Sequence, residues 1–160
     1  MQSGLPEERP HAFIIPAQEL EELLVEAGEL LARDERLSFA CLFGSASEGS
    51  SFRDIDVGVY LVDESTVEQS RTLGSLRWEI ENDLGRRLEL RVREKTGVAV
   101  PVDLRVMNGT PLHAQFRVLR GRLLALRDED AYARILEYVI PRYLDMEPLR
   151  QLALRELVNR

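Results

Sequence analysis

Three aspartates stand where carboxylates can act together: Asp54 and Asp56, separated by Ile55, and Asp103 further along the chain. In extended backbone, residues two apart project to the same face, so Asp54 and Asp56 point together while Ile55 turns into the core. Adjacent carboxylates raise each other's proton affinity, and a bound divalent cation removes that repulsion. Mg²⁺ suits such a site, because it takes hard oxygen ligands, commonly one or two carboxylates plus substrate phosphates. An Asp-x-Asp pair alone is an ordinary solvated strand end. Here it opens the mostly apolar run Val57-Gly58-Val59-Tyr60-Leu61, and two carboxylates at the head of a buried strand are costly unless paired or metal-bound.

Two further features extend the constellation. Gly44-Ser45 ends an apolar run and precedes Asp54 by a short polar loop that contains Gly49. Glycine lets backbone approach a ligand closely, consecutive amide N–H groups form a nest for phosphate, and the Ser45 hydroxyl adds a donor. Taken alone, Gly-Ser is a common turn. Asp103 lies in Val100-Pro101-Val102-Asp103-Leu104-Arg105-Val106, where alternation puts Asp103 and Arg105 on one face and Val102, Leu104 and Val106 on the other. The plain reading of Asp103 is the exposed face of an edge strand, which Pro101 tolerates. The chemical reading sets it beside Asp54 and Asp56, binding a second metal ion and taking the proton from an attacking hydroxyl. Two cations stabilise the attacking and leaving oxygens of such a displacement, and phosphoryl-type transfer depends mainly on positioning and charge neutralisation. Arg105 is placed for phosphate or for a surface ion pair.

The elements that must position these groups follow from apolar periodicity. Leu20, Leu23, Leu24, Ala27, Leu30 and Leu31 recur at helical spacing and predict a helix from Pro16 to about Arg33. Leu37–Phe43 reads as a buried strand, residues 46–53 as a loop, and Asp54–Val62 as a second strand. Leu73, Leu76, Ile80, Leu84 and Leu88 predict a long helix from about Ser65 to Leu90, with Gly74 as a weak point. Val98–Met107 is a third strand, Pro111–Leu119 a short helix and Arg122–Leu126 a short strand or extended segment. The last helical region starts near Asp128, with Pro141 and Pro148 expected to break or kink it. Residues 1–15 read as a loose lead-in. The result is an α+β chain with a mixed sheet flanked by helices. The first two long strands have only a short link and are expected to be antiparallel. One domain is expected over residues 1–160, with a core at about 17–126 and a helical C-terminal region at about 128–160.

Composition narrows the function classes. The 160 residues carry 28 acidic and 21 basic side chains, a net charge of −7, which argues against general nucleic-acid binding, since that needs a basic face. An acidic chain is compatible with a basic protein partner. The single cysteine, Cys41, lies in the apolar run Phe39–Phe43 and reads as a buried, inert thiol. His11 and His113 are the only histidines and belong to no constellation, which leaves neither cysteine catalysis nor a zinc site. No apolar run is long enough to span a membrane, and the polar start has no apolar signal core, so a cytoplasmic location is expected.

Gly44, Ser45, Gly49, Asp54, Asp56 and Asp103, in this order and on these elements, resemble the signature of the DNA polymerase beta-type nucleotidyltransferase superfamily. The resemblance spans roughly residues 38–107, and the small size is similar to its minimal members. Val102-Asp103-Leu104, Asn108, Pro111-Leu112, Phe116-Arg117-Val118-Leu119, Gly121-Arg122-Leu123-Leu124 and Tyr143-Leu144-Asp145 look like the MntA-type antitoxins of HEPN/MNT toxin–antitoxin systems. The resemblance implies a nucleotidyltransferase fold and Mg²⁺-dependent transfer of AMP from ATP to a tyrosine of a HEPN-domain RNase toxin, which silences the toxin. It implies that Gly44 and Ser45 hold the nucleotide phosphates, that Asp54 and Asp56 bind metal, two ions in all, and that Asp103 completes the triad. A homo- or hetero-oligomer fits such a system. The chain departs from the family in its shorter loop between Ser45 and Asp54, and in Arg53, where a small hydroxyl residue is usual. Two alternatives stand beside this reading: transfer to a small molecule of the aminoglycoside kind, for which little chain remains after Asp103 to build a pocket, and a non-catalytic module that neutralises a toxin by occlusion.

Overall fold

The structure is a computed structural model and describes residues 12–49, 51–62 and 70–158. The lead-in before residue 12 and the first residues of the expected second helix, 65–69, lie outside the described residues.

Four strands form the main sheet: β2 (Leu37–Phe43), β4 (Ile55–Leu61), β5 (Val102–Val106) and β6 (Arg122–Leu126), in the order β5-β4-β2-β6. β2 pairs antiparallel with both β4 and β6, and β4 pairs parallel with β5. The parallel pair needs a crossover, which α2 (Ser70–Thr96) supplies. Helix α1 (Ala17–Ala32) joins α2 on one face of the sheet, and α3 (Leu112–Leu119) and α4 (Glu129–Val158) cover the other. Both faces of β2 are therefore buried, which is why Leu37–Phe43 is apolar apart from buried Ser38 and shows no alternation. Ala40 and Leu42 pack with Leu23, Leu31, Ile80 and Leu84 on the α1/α2 side. Phe39 and Cys41 pack with Val118, Leu119 and Val139 on the α3/α4 side. Each of the Leu, Ile, Val and Phe side chains among them stabilises the fold by roughly 1.5–3 kcal/mol. Phe39 stacks on Tyr60 at 4.4 Å between ring centroids. Cys41 is buried, as its neighbours predict, and burial pushes its thiol up to about 12.

Close packing requires glycine at two points. A Cβ on Gly28 would collide with the Leu124 carbonyl, so α1 lies directly on β6. A Cβ on Gly58 would collide with Val118 Cγ1 and lie 3.1 Å from Met107 Cγ, so α3 lies directly on β4.

The sequence reading needs four adjustments. Helix α2 runs on to Thr96, where Gly97 at φ 73° ends it, and β5 accordingly begins at Val102 rather than Val98. Pro141 and Pro148 lie inside α4, which stays one continuous helix; both are exposed, so each ring and missing N–H falls on the solvent side. Phe13–Ile14 (β1) and Ser51–Phe52 (β3), read as lead-in and loop, form a two-stranded antiparallel sheet that buries Ile15 and Phe52. Asp54 sits in a bend just before β4 rather than on it.

β5 is the edge strand next to β4, and α2 pins it. Glu89 Oε1 accepts from the Val102 N–H and Glu81 Oε1 from the Val106 N–H, both at 3.0 Å. Arg77 donates to the Val106 carbonyl at 2.7 Å and the Asn108 carbonyl at 2.5 Å. Buried Asn108 accepts from the Leu61 N–H at 2.8 Å, tying the end of β4 to the loop after β5. These side chains satisfy backbone groups that an open edge would leave unpaired.

Candidate active site

The aspartates meet where β2 ends and β4 and β5 begin. Asp56 is the register partner of Phe43 on β2 and of Asp103 on β5. Residues level on neighbouring strands point to the same face, so the two carboxylates stand side by side on the α3 face. Arg105 is level with Gly58 and shares that face.

Gly44 follows the last residue of β2 at φ 72°. A Cβ there would collide with Asp56 Oδ2 and lie 3.2 Å from its Cγ. The Gly-Ser turn thus lies directly against the Asp56 carboxylate. The chain then enters a 3₁₀ turn, Ser45–Ser47, whose Ser47 hydroxyl donates to the Gly44 carbonyl at 2.6 Å. Ser45, the next residue, is exposed. Gly49 has open space around its Cα and no positive φ.

Electrostatics mark Asp56 as the crowded member. Burial raises its carboxyl above the usual range, and the charges of Asp54 and Asp103 raise it further, while Arg117 and Arg105 draw it back down. The repulsion expected from the sequence is present, and all three aspartates take part in it. Asp103 is turned toward Arg105, whose Nε donates to its two oxygens at 3.1 and 3.3 Å. Among the described residues, no three His, Cys, Asp or Glu side chains converge into a ready-made metal cage. The donor chemistry nevertheless fits a hard cation: Asp56 and Asp103 stand level at one sheet end with Asp54 just before β4, and burial first, then the charges of Asp54 and Asp103, raise the Asp56 carboxyl. The Arg105–Asp103 pair is half-exposed, a kind worth about 0–1 kcal/mol, so rotating Asp103 toward Asp56 costs little.

Arg117, quoted in the sequence only as part of the segment Phe116-Arg117-Val118-Leu119, was given no role at the site. It lies on the exposed side of α3, one residue before Val118, and its guanidinium stands 5.6 Å from the centre of the Phe43 ring. The signal that finds it is tertiary: Val118 packs on Gly58, which sets Arg117 above the end of β2.

No family model matches the chain, and no curated protein matches it in sequence. Solved structures do match it in fold. A crystal structure of a mutant MntA–HpeT toxin–antitoxin aligns with a TM-score of 0.53 at 17% identity, covering 90% of this chain and 99% of that one. A second MntA–HepT toxin–antitoxin structure gives 0.52 at 18%, covering 88% and 98%. A toxin–antitoxin structure with AMP-PNP gives 0.50 at 18%, covering 90% and 99%. At this identity the likeness is one of fold, and the chain has the α+β fold, a mixed sheet flanked by helices, seen in the MntA–HepT toxin–antitoxin structures.

Proposed function

We propose that this chain is a protein adenylyltransferase antitoxin, which transfers AMP from ATP to a tyrosine of a HEPN-type RNase toxin and so neutralises it. The observation that carries the reading is the register of Asp56 with Asp103, with Gly44 packed against the Asp56 carboxylate. Asp54, Asp56 and Asp103 would hold Mg²⁺, two ions, and Gly44 and Ser45 would face the nucleotide phosphates. Support for nucleotide and partner comes from solved structures of the same fold, one with AMP-PNP and others of toxin–antitoxin complexes.

The chemistry is an in-line displacement. The acceptor hydroxyl oxygen bonds to the α-phosphorus, the bond from that phosphorus to the bridging oxygen of the β-phosphate breaks, and pyrophosphate leaves with the electron pair. Asp103, on the outer strand, takes the acceptor's proton. When bound, Mg²⁺ neutralises charge on the attacking and leaving oxygens. The rigid sheet end contributes positioning, because side chains held on strands keep their geometry.

A second reading, occlusion without chemistry, is favoured by α4. Its distal half leaves Leu144, Met146, Leu149, Leu152, Leu154 and Leu157 half or more exposed, an apolar surface of the kind that marks protein contacts. Co-expression with the toxin separates the two. Under the proposed function, Asp54→Asn/Asp56→Asn loses protection while the complex still forms. Undiminished protection by that variant establishes occlusion.

A further inference from the structure

Asp56 stands level with Asp103 and feels the charge of Asp54, and the site would receive a polyanionic nucleotide, so positive charge from the protein would help where the phosphates leave. Two arginines share the α3 face with the aspartates. Arg105, at the β5 edge, is tied to Asp103. Arg117 lies on the opposite side of Asp56, above β2, and among the described residues no ion pair involves it. Three packing facts fix its place. Val118 seats α3 on Gly58. Gly121 lets the turn after α3 touch the Leu42 carbonyl, where a Cβ would collide. Phe43, under the guanidinium, is the residue before Gly44 and the register partner of Asp56.

The sheet order then gives the site a direction. Asp103 lies on the β5 side of Asp56, while Gly44, Ser45 and Arg117 lie on the β2 side. On the proposed function, on which this inference rests, the acceptor hydroxyl approaches beside Asp103 and the leaving pyrophosphate departs across the end of β2. We infer that Arg117 contacts the β- and γ-phosphates of the bound nucleotide, its guanidinium held over Phe43 so that it donates to phosphate oxygens beside the Gly44-Ser45 turn. A guanidinium suits this role, because it is always charged and its planar fork matches phosphate geometry.

The test is calorimetric binding of AMP-PNP and of AMP, each with Mg²⁺, to the intact chain. Arg117→Ala should weaken AMP-PNP about ten- to hundredfold, as for a lost hydrogen bond to a charged group, and AMP by less than threefold. Arg117→Lys should recover part of the loss. Arg120→Ala, on the same helix with its guanidinium over Phe116, should bind both like wild type. In the transfer assay the Arg117→Ala loss should appear in KM for ATP as well as kcat, with an unchanged urea midpoint. Wild-type binding of AMP-PNP with no loss in Arg117→Ala, or equal losses for AMP-PNP and AMP, overturns the assignment of Arg117 alone. Failure of wild type to bind AMP-PNP overturns the proposed function and this inference with it.

Discussion

Gly44 lies against the Asp56 carboxylate so closely that no side chain fits between them. A positive φ and a Cβ position taken by the Asp56 carboxylate coincide at this residue, so a side chain there strains the backbone and pushes aside the carboxylate that would face metal. Gly44→Ala must relieve both strains at once. It should cost about 1–3 kcal/mol in urea unfolding and abolish most transfer by displacing Asp56. Gly49→Ala, in open space, should leave the unfolding free energy within about 0.5 kcal/mol of wild type. Equal behaviour of the two variants would contradict the packing account.

Asp103 is only as well placed as the edge strand that carries it. Glu81 accepts from the Val106 N–H and Glu89 from the Val102 N–H, so α2 holds both ends of β5. Glu81→Ala is expected to lose about 1–2 kcal/mol of stability, since a part-buried amide loses its partner. Hydrogen exchange should show faster exchange at the Val106 amide while β2 amides stay protected. Uniform loss of protection across the sheet would show that β5 is not separately pinned.

Much of this arrangement is legible in the sequence, for physical reasons that differ by element. β2 and β4 are buried on both faces, and the mostly apolar runs Phe39–Phe43 and Val57–Leu61 announce it. Asp54 and Asp56 are conspicuous because carboxylates at the head of such a run need a cause. Asp103 is read correctly as an edge-strand residue and also as the neighbour of Asp56, because both descriptions hold. Less legible is whatever depends on tertiary context. β1 and β3 have two residues each, too few for a period to show. The end of α2 is set by Gly97 after a polar stretch, not by the last leucine of its apolar face. Pro141 and Pro148 leave α4 unbroken because they fall on its exposed side. Arg117 acquires its position only through the contact of Val118 with Gly58.

Asp34, in the turn between α1 and β2, links stability to pH. Arg36 donates to it through its backbone N–H and through Nε and Nη2, the side-chain bonds at 2.9 and 2.6 Å. The Arg36 guanidinium holds the Asp34 carboxyl below its ordinary value despite partial burial. A carboxyl lowered on folding stabilises the native state above its unfolded value, and that contribution fades as pH falls through the folded value. Asp34→Asn should therefore lose about 1–2 kcal/mol at pH 7, and the gap to wild type should narrow steadily below about pH 4. Urea titrations at several pH values read this directly. A gap that does not change with pH would show that the lost contact is not the charged one.

In the proposed function the aspartate cluster transfers AMP to a protein. The most direct test is intact-protein mass spectrometry of the protein encoded beside this chain, after incubation with the chain, ATP and Mg²⁺. The account predicts that the partner gains the mass of one or more AMP groups, and that the gain disappears with EDTA and with Asp54→Asn/Asp56→Asn, although the complex persists. A partner that binds the wild-type chain, stays unmodified and is nonetheless silenced would contradict it.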